Sequence, residues 1–168
     1  EPMTGDVNVY NPSLLAMPSG ELLLFYYRHL KLEWGKPFAT TAYLRRSRDG
    51  GQTFDAPVEI WNDQPLGSPN SSLIRLSSGR LLLPVGETRV WGGPEDNQKA
   101  SCLLSDDDGK TWRRSTALLR LPLRGALEGN VAEARDGALV MVLRTQLGSP
   151  FIARSLDGGE TWSKPQTS

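Results

Sequence analysis

One cysteine, one histidine and no net charge set the first limits on this 168-residue chain. With Cys102 alone, no disulfide can form within the chain, and a buried reduced thiol in a strand is the expectation. One His and one Cys cannot build a His/Cys zinc site. Lys and Arg number 19 and so do Asp and Glu, so there is no basic field to draw nucleic acid or an anionic membrane surface. No apolar run approaches the roughly 18 residues of a membrane-spanning helix. The chain opens without a secretory leader, as a mature or trimmed form would, so secreted, periplasmic and cytoplasmic locations all stay open.

What is present is repetition. SRDGGQTF from Ser47, SDDDGKTW from Ser105 and SLDGGETW from Ser155 all fit Ser-x-Asp-x-Gly-x-Thr-aromatic, with starts 58 and then 50 residues apart. Such self-similarity decides the fold question before any single residue does. Each motif suits a tight hairpin turn, in which Ser and Asp oxygens accept turn N–H groups, glycines supply positive φ and the aromatic ring packs beneath. These residues fold the chain; they are not catalytic.

Upstream of each turn an alternating apolar run is broken by a glycine: NPSLLAMPSGELLLFYY, NSSLIRLSSGRLLLPVG and EGNVAEARDGALVMVLR. Aligned on Gly20, Gly79 and Gly137, these recur every 59 and 58 residues, so the unit is two β-hairpins. Strands are predicted near 12–17, 21–27, 42–47 and 54–60, then 71–76, 80–86, 100–105 and 112–119, then 130–134, 138–143, 151–155 and from 162 on. The fold is therefore all-β, a β-propeller of four-stranded antiparallel blades near 10–61, 69–120 and 127–168.

In such a blade alternate turns fall on opposite faces of the disc. The glycine hairpins and the Ser-x-Asp turns share one face. The other collects Asn11, Asn70 and Glu128 with Arg28, Glu87 and Arg144, and the long loops 28–41 and 87–99 open there. Long loops carrying charge and aromatics on a rigid scaffold are where binding and chemistry are expected. Trp34 and Trp91 fall in these loops, and the Gly92-Gly93-Pro94 turn after Trp91 suits holding its indole against a sugar face, the alternative being that both rings seal the loops onto the blades. Phe54, Trp61, Trp112 and Trp162 read as packing residues, and Glu133 as a mid-strand charge facing a neighbouring blade or solvent.

The turn motif resembles the Asp-box of sialidases and related BNR-repeat proteins, and YLRRSRDGGQTF is similar to the first box of a bacterial sialidase. The resemblance runs over essentially the whole chain. It implies a sialidase-like propeller of six blades, three of them present here, and no metal or organic cofactor. A Ca²⁺ on the carboxylates of the loop face has no motif to support it.

EGNVAEARDGALVMVLR is similar to the sialidase segment in which a catalytic Glu precedes the hairpin Gly by nine residues and a substrate Arg follows it by seven; Glu128 and Arg144 keep both counts. The resemblance implies that Glu128 activates the family's tyrosine nucleophile, outside the usual two-carboxylate scheme, and that Arg144 is one arm of an arginine cluster on a substrate carboxylate. From the residues alone, a rim ion pair without chemistry stands beside that reading. Gly129 replaces the family's usual Pro. In the first repeat Pro12 fits the family's Arg-Ile-Pro element, but Tyr10 and Asn11 precede it and the Arg is missing. Arg28 and Glu33 keep the five-residue spacing of a substrate Arg and a general acid, with Glu for the family's Asp, or a solvated loop charge as the alternative. His29 in the same loop is a residue type that titrates near neutrality, the alternative being an incidental exposed loop histidine.

Two functions follow. One is a sialidase-like glycoside hydrolase, or half of one, acting by an exo mechanism on a terminal acidic sugar such as sialic acid. The other is a non-catalytic carbohydrate-binding or assembly propeller. The family's nucleophilic Tyr and last Arg belong to later blades and have no position here. Three blades also leave raw sheet edges, for which a two-fold pair completing the ring is the simplest cover.

Overall fold

The computed structural model describes residues 6–30, 35, 39–62, 66, 72–90 and 92–167. Among these residues twelve strands follow in chain order: β1 (Asp6–Ala16), β2 (Leu22–Leu30), β3 (Ala39–Ser47), β4 (Val58–Trp61), β5 (Ile74–Arg75), β6 (Leu81–Glu87), β7 (Lys99–Ser105), β8 (Arg113–Arg114), β9 (Leu127–Glu133), β10 (Leu139–Arg144), β11 (Phe151–Ser155) and β12 (Gln166–Thr167). They form three antiparallel meanders of four strands, β1–β4, β5–β8 and β9–β12, here blades 1, 2 and 3. No helix forms among the described residues.

The second and third strands of each blade stand close to where the apolar runs place them, but the fourth strands are shorter, and β1 and β9 start earlier, at Asp6 and Leu127. β4 begins only at Val58 and β12 only at Gln166. Pro57 and Pro165 immediately precede them, and a proline has no N–H for the ladder. In blade 1 the chain after the box is first held at Asp55: its N–H donates to the Arg46 carbonyl at 2.9 Å and its Oδ1 accepts the Arg46 N–H at 2.8 Å. β2 also runs further than expected, so Arg28 and His29 are strand residues, not loop residues.

The blades share cores instead of owning them. In β6 every residue is buried, and the pleat sends Leu81, Leu83 and Val85 to one side and Leu82 to the other. The first side meets Leu23, Phe25, Tyr27, Ala42 and Leu44 of blade 1. The second, with Cys102 and Leu104 of β7, meets Leu139, Met141, Leu143 and Ala153 of blade 3. At about 1.5–3 kcal/mol per fully buried side chain of this size, the interfaces between blades are the main source of apolar stabilisation. Trp61 and Trp112 border the first core and Trp162 the second. Burial pushes the Cys102 thiol up, so it stays protonated and inert.

The three box turns are the same device. In the first, Thr53 donates its N–H to Asp49 Oδ1 at 2.9 Å and its hydroxyl to Oδ2 at 2.5 Å, while Ser47 Oγ accepts the Gly51 N–H at 2.8 Å. Asp107 and Asp157 repeat this with Thr111 and Thr161. The hydroxyl and amide of Thr53, and of Thr111, hold Asp49 and Asp107 well below the usual carboxylate range. Each following box is also clasped by the preceding blade: an Arg46 guanidinium N–H donates to the Asp108 carbonyl, and Arg80 Nη1 to the Gly158 carbonyl at 3.1 Å. Gly159 (φ +91°) sits so close to this junction that a Cβ there would lie 2.6 Å from Leu82 Cδ1. Box turns and glycine hairpins line common clefts, Ser19 and Glu21 with Asp108 and Lys110, and Gly79 with Asp106 and Asp157. They therefore share one face, which leaves the other to the strand ends that carry the candidate site.

Candidate functional site

At the opposite end of blade 3 the chain enters β9 through Glu128 in the left-handed region, φ +46°. Gly129 follows with its backbone tight against β10: a Cβ there would lie 3.1 Å from Met141 Sδ and 3.3 Å from Leu143 Cδ2. The β9–β10 register then shifts between Val142 and Arg144. A bulge of this kind re-aims a side chain, and here Arg144 Nη1 donates to Glu128 Oε1 at 2.6 Å. The Arg144 side chain is 58 % exposed and the Glu128 side chain 21 %.

The pair borders a cleft of about 520 Å³. Asn130, Thr145 and Ser149 add polar atoms, and Val142 and Pro150 add apolar wall. The Thr145 hydroxyl donates to the Ser149 carbonyl at 2.7 Å and fixes the short loop above the cleft. Asn130, Thr145 and Ser149 carry no motif. Their only signal in the sequence is their place beside a strand end on the loop face.

The structure places the other candidates differently. Arg28 is buried in blade 1 with its guanidinium over the Tyr43 ring, 5.0 Å from the centroid, and does not line the Glu128 cleft. His29, expected to titrate near neutrality, is buried too: its Nδ1 lies 2.6 Å from Thr40 Oγ1, its ring stacks on Tyr10 at 4.2 Å, and desolvation pulls its pKa down to about 4. Glu87, at the equivalent strand end of blade 2, is buried and paired inward, accepting Ser101 Oγ–H at 2.5 Å and Arg114 Nη1–H at 2.9 Å. Glu133 faces the neighbouring blade, accepting both the N–H and the hydroxyl of Ser77. Glu33, Trp34, Asn70 and Trp91 lie outside the described residues. The anchor of the loop after β6 is visible: Asp96, its side chain fully buried, takes both Nε and Nη2 of Arg124 and the Gly92 N–H at 3.0 Å.

Among the described residues no three His, Cys, Asp or Glu side chains converge as a metal site would require. No helix among them is long and apolar enough to cross a membrane.

With the repeat and the strand-end cleft described, the comparison with known families is direct: the BNR repeat-like domain matches residues 4–168. The chain belongs to the BNR repeat-like family. Among its relatives, this BNR-repeat chain is 29 % identical over 136 residues to a sialidase of Bacteroides fragilis, covering 74 % of the chain and 23 % of that protein. Among solved structures, a protein of unknown function from Dyadobacter fermentans superposes with a TM-score of 0.77 at 26 % identity, over 95 % of this chain and 50 % of that one. Trypanosoma rangeli sialidase, solved in complex with sialic acid, superposes with a TM-score of 0.68 at 18 % identity, over 92 % of this chain and 27 % of that one. The fold is that of the sialidase propeller, and the BNR-repeat chain spans about a quarter of the length of the Bacteroides relative.

Proposed function

We propose that this chain carries part of a sialidase-like active site for a terminal acidic sugar such as sialic acid, with Glu128 as the proton-moving carboxylate and Arg144 as an arm for the substrate carboxylate. The observation that carries this reading is Glu128, held at φ +46° against Arg144 at the edge of a cleft. A non-glycine residue in that conformation is costly and persists where its surroundings enforce it, most often at functional sites. Arg144 engages Glu128 through Nη1, which leaves Nη2 and Nε for a second, forked partner. An incoming carboxylate on that fork competes with Glu128 for the guanidinium. Asn130 suits sugar hydroxyls, and Val142 with Pro150 suits the ring's apolar edge. Glu33 and Trp91 stand in this proposal as the proton donor and a stacking surface, and Arg28, buried over the Tyr43 ring, is left out of it.

The second reading, a carbohydrate-binding or assembly propeller without chemistry, is favoured by the same ion pair, since each partner already neutralises the other. A fluorogenic sialoside and direct binding of sialic acid separate the two. In an active preparation Glu128→Gln is expected to lower kcat by about 100-fold or more, and Arg144→Lys to act mainly on KM, because a point charge replaces a fork. Unchanged turnover in Glu128→Gln removes Glu128 from the mechanism. Binding without turnover, lost in Arg144→Lys, favours the second reading.

A further inference from the structure

On the box face, where the hairpin of blade 1 meets the box of blade 2, lies a cleft of about 300 Å³. Four cationic side chains line it, Arg46, Arg48, Arg75 and Lys110, against two carboxylates, Glu21 and Asp108. Glu21 is already taken, by Arg48 Nε at 2.9 Å and Arg46 Nη1 at 3.6 Å, and Arg46 also clasps the Asp108 carbonyl. The positive surplus therefore rests on Arg75 and Lys110, both exposed, whose charged groups have no partner among the described residues.

Three departures from the repeat meet in this cleft. Arg75 stands four residues before its hairpin glycine, the place that Glu133 holds in blade 3. Glu133 accepts the N–H and the hydroxyl of Ser77, two residues before Gly79. In blade 1 the residue that matches Ser77 is Pro18, which has neither group to give. The clasp that closes one junction is thus replaced at the other by an arginine with nothing to hold. Asp108 is the fourth residue of its box, where the other two have Gly50 and Gly158, and it keeps their left-handed backbone, φ +58° against +73° and +68°. Glycine adopts that conformation more freely, so the turn itself does not call for the carboxylate, which is exposed and accepts nothing among the described residues. Lys110 is the sixth box residue, where blade 3 has Glu160 paired with Arg80 and Arg113.

We propose that this cleft binds an acidic oligosaccharide, with Arg75 and Lys110 on an oxyanion of one sugar, a carboxylate or a sulfate ester, and the Asp108 carboxylate accepting the hydroxyls beside it. A guanidinium presents the same planar fork to either oxyanion. An acceptor set among donors fits a ligand that carries hydroxyls as well as charge, whereas a bare inorganic anion is only repelled by it. Met17 and Pro18 supply an apolar wall for a ring face. Through Arg75 and Asp108 the cleft continues into another of about 450 Å³, lined also by Ser78, Arg80 and Asp157, which leaves room for more than one sugar. No aromatic ring among the described residues lines either cleft, so a nucleic-acid base has nothing to stack on. The site lies on the face opposite Glu128 and shares no residue with the cleft there, so it holds whether or not Glu128 is catalytic.

Isothermal titration calorimetry of the full chain against a heparin tetrasaccharide, which carries sulfate, and tetragalacturonate, which carries carboxylates alone, tests it. Binding is expected, the tighter of the two naming the oxyanion, and it should weaken as sodium chloride is raised. Arg75→Gln is expected to lower affinity about tenfold and Lys110→Gln several-fold, the scale of charge-assisted hydrogen bonds. Arg120→Gln, at an exposed arginine outside both clefts, should leave it unchanged. Asp108→Gly restores the residue of the other boxes and separates recognition from charge: it should weaken binding although it removes a negative charge. Tighter binding in Asp108→Gly, an equal loss in Arg120→Gln, no binding of either oligosaccharide, or equal affinity for inorganic sulfate, a glutamate peptide or single-stranded DNA would each overturn the proposal.

Discussion

Glu128 repeats the backbone geometry of Asn11: each stands nine residues before its hairpin glycine, and φ is +46° at one and +50° at the other. The β1–β2 register breaks between Tyr10 and Ser13, and the β9–β10 register between Val142 and Arg144. The left-handed kink is thus shared by blades 1 and 3, and the carboxylate is what blade 3 adds to it. Asn tolerates this conformation through its short polar side chain; Glu does not.

Glu128→Gly is therefore expected to stabilise the chain by about 1 kcal/mol in urea denaturation, because the relief of left-handed strain exceeds the worth of an ion pair whose Arg144 side stands open to solvent. Asn11→Gly should gain less. A Glu128→Gly protein less stable than the parent would show that Arg144 holds Glu128 more strongly than the backbone resists it.

His29 sets an acid limit on the fold. Its pKa is about 4 in the folded chain against an ordinary 6.5, so between those values the unfolded chain binds the proton and the folded chain does not. This contribution to stability is complete above about pH 6.5 and is lost as the pH falls toward 4. In His29→Phe, which keeps a ring against Tyr10, the fall of melting temperature across that window should flatten. An unaltered slope would assign the acid limit to other groups.

Gly125 joins blade 2 to blade 3 where its backbone passes hard against Gln98. Its φ is +91°, and a Cβ would lie 1.9 Å from the Gln98 carbonyl oxygen, a backbone atom that already accepts the Ala126 N–H at 3.0 Å. Gly125→Ala is expected to lower stability by at least about 2 kcal/mol in urea, with the slope of the transition unchanged. A loss within error would mean that the linker relaxes freely.

The boxes and apolar runs were legible in the sequence because both act locally: Asp49, Asp107 and Asp157 bond within four residues, and the alternation in β6 is the pleat itself. Outer strands were read as too long for a physical reason. Trp112 and Trp162 look like strand starts, yet their indole N–H groups turn back to the Gly109 and Gly159 carbonyls and cap the turns. His29 looks like a loop residue because a polar pair ends an apolar run, and its contacts with Tyr10 and Thr40 from neighbouring strands are not visible in that local pattern. The pairing of Glu128 with Arg144 was visible in spacing, but not the left-handed backbone that presents Glu128, nor the presence of Asn130 and Thr145 beside it, which depend on how β9 and β10 meet.

The side chains of β6 divide between two neighbours, so blade 2 has no interior of its own. Its thermodynamics are those of a coupled one-dimensional array, in which the energy resides in nearest-neighbour terms. Melting blade 2 would strip both flanking blades of a partner at once, so no state with blade 2 alone lost should be populated. The same coupling bears on how such chains lengthen: a duplicated unit needs only one forward face and one back face that match, because no private core has to be invented with it.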